Sequence, residues 1–64
     1  EHTAGISRDV ESDEVFVVLG GAATVSFDDG SPAIELRSGT VARLCAGQRT
    51  TWTVREALRK VFIA

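Results

Sequence analysis

The chain has 64 residues, 44% of them hydrophobic, and a formal net charge of −2. A domain of this size buries only about 60% of the surface that its unfolded chain exposes, so it draws support from disulfides, metals or partner subunits. A single cysteine, Cys45, excludes an internal disulfide and makes a second copy of the chain the expected support, as a homodimer. No run approaches the roughly 18 apolar residues of a membrane span, and no basic segment leading into an apolar core marks a secretion signal. A soluble, cytoplasmic protein without membrane contact is expected.

Charge is distributed unevenly. Residues 1–30 carry Glu1, Asp9, Glu11, Asp13, Glu14, Asp28 and Asp29 against Arg8 alone; residues 31–64 carry Arg37, Arg43, Arg49, Arg55, Arg59 and Lys60 against Glu35 and Glu56. The basic residues are spaced rather than clustered and only Trp52 is interleaved among them, which speaks against nucleic-acid binding. Complementary strands within one sheet, or across a dimer, explain the pattern more simply.

In chain order, Glu14 to Leu19 (EVFVVL) is β-branched and aromatic, and Gly20-Gly21 reads as the turn that ends a buried strand. Ala22 to Phe27 alternates, with Ala23, Val25 and Phe27 on one face. The segment DDGSP at residues 28–32 concentrates turn formers and predicts a hairpin with Ala33 to Leu36 returning. Ser38-Gly39 precedes an apolar stretch from Val41 to Cys45, where Cys45 is expected as a small buried hydrophobe. Ala46-Gly47-Gln48 breaks the chain again before Thr50 to Val54. Turn signals every eight to ten residues or so predict a sandwich or barrel.

The last segment is contradictory on local grounds. Val54, Ala57, Leu58, Val61 and Phe62 follow helical spacing, and Thr53 with Glu56 has the capping-box form, so periodicity predicts a C-terminal helix; Val61, Phe62 and Ile63 are nevertheless β-rich.

Taken together, DEVFVVLGG, AATVSFDDG, LCAGQRTTWTV and LRKVFIA resemble the cupin superfamily over residues 13–64. The likeness is to the branch of small cupins that includes ureidoglycine aminohydrolases and ethanolamine-utilisation Q proteins. It implies an all-β fold, a small cupin-type (jelly-roll) antiparallel β-barrel occupying residues 1–64 as one domain. It also implies that residues 58–63 form a strand, against the helical periodicity, and that the opening strands of a complete barrel are absent.

Cupins commonly hold a divalent metal through two histidines and a glutamate of a first motif and one histidine of a second. Glu14 falls at the glutamate position. The histidine positions fall on Ser7 and Asp9, or Arg8 and Val10, and on Thr50, while Cys45 and Thr40 replace the usual proline and aspartate. The only histidine, His2, lies outside the motif and reads as a solvated terminal residue. No metal and no other cofactor is therefore expected.

By alternation Glu14, Phe16 and Val18 share one face, and Thr50, Trp52 and Val54 share another, so both sets would line the interior. Glu14 has two readings: a carboxylate inside the barrel, or a strand-start charge paired with an arginine. The indole N–H of Trp52 needs a partner if buried. Three functions remain open. The first is a metal-free domain that binds a small polar metabolite through Glu14, Phe16, Arg43, Thr50 and Trp52. The second is a metal-dependent enzyme of the aminohydrolase type, and the third a structural or dimerisation module.

Overall fold

A computed structural model describes residues 2–64. These residues form five strands: β1 (Gly5–Val10), β2 (Glu14–Phe27), β3 (Ile34–Arg37), β4 (Val41–Leu44) and β5 (Arg49–Phe62). Every pairing is antiparallel, in the order β1-β5-β2-β3, with β4 on the first half of β2.

The two 14-residue strands β2 and β5 are the frame. Their outer halves pair as Ala23↔Val54 to Phe27↔Thr50, flanked by β1 and β3. Their inner halves pair as Phe16↔Phe62 to Val18↔Lys60, flanked by β4. Register shifts between Val18 and Ala23 bend the ribbon where the halves meet. Gly21 permits the bend: its φ is 97°, and a Cβ there would lie 2.3 Å from the Ala57 carbonyl oxygen. Gly20-Gly21 thus bends a continuous strand and does not end one, which corrects the reading of two separate strands.

Folding the ribbon over brings one face of each half together. Phe16, Val18, Leu44 and Leu58 meet Ala23, Val25, Leu36, Trp52 and Val54 in one buried core. Burying each large side chain in it is worth about 1.5–3 kcal/mol. The Phe16 and Trp52 rings lie 6.2 Å apart across the fold.

The helical periodicity of residues 54–64 does not prevail, and Thr53 and Glu56 lie within β5. Pairing Val61 and Lys60 with β2 satisfies both backbones in a ladder, whereas a helix would leave the first half of β2 without its neighbour. Leu58, Lys60 and Phe62 accordingly share the inner face by strand alternation.

The hairpin return is Ile34–Arg37, one residue later than Ala33 to Leu36. Its turn is held by Asp29 Oδ1, which accepts from the Ser31 amide, and by Gly30 at φ 83°. Cys45 is exposed and not buried: its apolar neighbour Leu44 is the last inward residue of β4, and Cys45 begins the turn, its amide donating to Gln48 Oε1. On the outer face Arg55 ties Thr24 and Glu35 together at 2.7 and 2.9 Å. The described residues contain no helix, hence none long and apolar enough to cross a membrane.

Candidate functional site

The interior carries polar groups as well as apolar ones. Glu11, just past β1, is held by backbone bonds from its amide to Gln48 and from the Gly47 amide to its carbonyl. By strand alternation Glu11 falls on the same side of the chain as Ser7 and Asp9, which lie opposite Trp52 and Thr50 but are themselves exposed. Only 8% of Glu11 is exposed. Its Oε2 accepts from the Thr50 hydroxyl at 2.6 Å and from the Trp52 indole N–H at 3.0 Å. The indole partner required of a buried tryptophan is therefore Glu11.

A second polar pair lies in the other half of the fold. Lys60 Nζ donates to Glu14 Oε1 at 3.5 Å, with the two side chains 8% and 16% exposed. The ammonium also lies 4.3 Å from the centroid of Phe16, 4.7 Å from that of Trp52 and 5.0 Å from that of Phe62. Three rings around one ammonium make an aromatic cage, in which each ring quadrupole attracts the cation. Phe16 and Trp52 are buried, while Phe62 is 58% exposed and forms the rim.

His2 stacks on Trp52 with centroids 4.8 Å apart and planes within 10°. Its backbone bridges Leu58 in both directions at 2.8 Å. It is thus packed on the site and not a solvated terminal residue. Burial, followed by repulsion from Lys60, lowers its pKa below 6.5 and favours the neutral imidazole.

Of the five residues expected to line the interior, the fold brings together Glu14, Phe16, Thr50 and Trp52. Arg43 is not among them. It pairs with Val15 and alternates with the buried Ala42 and Leu44, so it is exposed on the outer face. Glu14 combines its two readings: it faces inward and it is paired, but with Lys60 and not an arginine. Two residues escaped notice, Glu11 and Lys60. The first could have been found by continuing the alternation of Ser7 and Asp9 by one step and asking what meets the Trp52 N–H. The second was hidden by the helical periodicity of its segment, which concealed the inward series Leu58, Lys60, Phe62.

Thr50, only 2% exposed, is the member of the cluster that also lines a surface cleft of about 500 Å³, whose other lining residues are Arg8, Asp9, Val10, Asp28 and Arg49. An adjoining cleft of similar size shares Asp28 and Arg49 and is floored by Phe27.

An antiparallel sheet folded over on itself, with polar groups converging inside it, defines a small jelly-roll-like domain of the cupin type. The chain belongs to the EutQ-like cupin domain family, whose model matches residues 1–62. Among solved structures it is similar to a protein of unknown function from Acidithiobacillus ferrooxidans, with a TM-score of 0.87 at 24% identity. The match covers 97% of this chain and 59% of that one, so the chain spans little more than half the length of that relative. No curated protein matches.

Cupins commonly hold a metal, and the residues here do not fit one. Of the corresponding positions, Glu14 and Thr50 are turned inward while Ser7 and Asp9 are exposed on β1, which leaves a single carboxylate among them inside. Glu14 already faces an ammonium. Among the described residues no three His, Cys, Asp or Glu side chains stand close enough to share an ion.

Proposed function

We propose that this domain binds a small polar metabolite at the polar cluster of its interior, between Thr50 and the Lys60 cage, without using a metal. The observation that carries this reading is how Lys60 is held. An ammonium has three donors, and this one makes a single hydrogen bond among the described residues, at 3.5 Å, although it is almost wholly buried. A side chain sealed into the core for stability alone would close a short, fully bonded pair. Glu11, Glu14 and Thr50 supply further polar contacts, and Phe16 and Trp52 supply flat surfaces, the usual composition of a small-molecule site.

Trp52 is the only tryptophan and lies in the site, so its emission reports occupancy directly. The wild-type protein is titrated with glycolate, glycolamide and glycinamide, which share a two-carbon acyl skeleton and differ in charge. A saturable change with at least one of them, weakened about tenfold in Thr50→Val, supports the reading. No saturable change with any of the three would overturn it.

A further inference from the structure

We propose that the interior site takes a small organic cation, a quaternary or primary ammonium compound, and that Lys60 is a tethered occupant which this ligand displaces. The inference rests on the reading of the interior as a binding site and names its ligand class.

Charge is the first argument. Among the described residues two carboxylates, Glu11 and Glu14, meet in this interior and Glu14 already faces an ammonium, so a cation that takes the place of Lys60 keeps the charge balance of the cluster, whereas an anion or a neutral ligand in its place worsens it. Shape is the second. Phe16, Trp52 and Phe62 surround the ammonium at 4.3 to 5.0 Å, the arrangement by which proteins recognise alkylated ammonium groups.

Exchangeability is the third. Lys60 sits two residues from the end of β5, its contact with Glu14 is long, and the rim ring Phe62 is more than half exposed. A four-carbon stem can carry the ammonium outward past that rim into water, where its hydration is recovered. The incoming cation inherits the same three rings and the Glu14 carboxylate. Lys60 thereby sets the affinity threshold, because any ligand competes with a group that is always at hand.

Lys60 is the only lysine of the chain, so amine acylation can be read at a single side chain. Wild-type protein is treated with acetic anhydride in tetramethylammonium chloride or in sodium chloride at the same ionic strength, and acetylation of Lys60 is followed by peptide mass. Displacement predicts a rise of at least threefold in tetramethylammonium. An equal or slower rate would overturn the proposal. In parallel, Lys60→Ala vacates the cage and is titrated with tetramethylammonium and with tert-butanol as an uncharged control. Binding at least tenfold tighter than in the wild type, and selective for the cation, is expected; a cage indifferent to charge would overturn it. If glycolate or glycolamide binds the wild type while tetramethylammonium does neither of these things, the interior site stands and the cation assignment falls. If nothing binds either protein, both fall.

Discussion

Lys60 Nζ lies 4.3 Å from the centre of the Phe16 ring, and the two residues belong to paired strands whose register is fixed by Val18↔Lys60 and Phe16↔Phe62. The bend at Gly20 and Gly21 then lays Trp52 over the same ammonium from the opposite half of the fold. One bend therefore forms the core and the cage together.

Substituting Gly21 tests that bend. Gly21→Ala places a methyl group against the Ala57 carbonyl at a φ of 97° and is expected to cost about 2 kcal/mol or more. Gly20→Ala meets nothing within 4 Å and should stay within about 1 kcal/mol of the wild type. Urea unfolding followed by Trp52 emission separates the two variants.

Removing the Glu11 carboxylate leaves the Thr50 hydroxyl and the Trp52 N–H buried without their acceptor. Glu11→Ala should destabilise by about 1–3 kcal/mol. Glu11→Gln keeps a carbonyl oxygen in reach and should cost less. Thermal unfolding ranks the variants, and equal losses would show that the hydrogen bonds are not what Glu11 contributes.

The Lys60–Glu14 pair is long and slightly open, so breaking it should cost less than the roughly 3–5 kcal/mol of a tight buried ion pair. Lys60→Met and Glu14→Gln are each expected to lose about 1–2 kcal/mol. The double variant should lose less than the sum, since no charge then remains unpaired. A double-mutant cycle in urea measures the coupling.

Much of this was legible in the sequence. Alternation placed Phe16, Val18, Thr50, Trp52 and Val54 toward the interior and grouped Ala23 with Val25 on one face, and the resemblance made residues 58–63 a strand, which holds as far as Phe62. The rest depended on partners that local patterns do not contain. Spacing at residues 54–62 fits a helix as well as a strand, and only the ladder to β2 decides between them. Gly20-Gly21 reads as a turn because a bend within a long strand uses the same residues as an ending. Arg43 was assigned to the interior although its own alternation with Ala42 and Leu44 points it outward.

His2 gives the site a pH response. Its native pKa lies below 6.5 because the charged form is desolvated and repelled by Lys60. Between that lowered value and 6.5 the unfolded chain binds more protons than the folded one, so stability rises with pH across the interval. Stability should be full above 6.5 and decline as the pH falls toward the native pKa, where the penalty is complete. His2→Gln should remove this dependence, as read from urea midpoints at a series of pH values.

Mapping amide and indole shifts by two-dimensional NMR, as the ligand that perturbs Trp52 emission is added, locates the binding site residue by residue. Binding inside the fold predicts that the Trp52 indole N–H and the amides of Glu11, Phe16, Thr50 and Lys60 move together along one saturation curve. Shifts confined to Phe27, Asp28, Gln48 and Arg49 would place the ligand in the outer cleft and contradict an interior site.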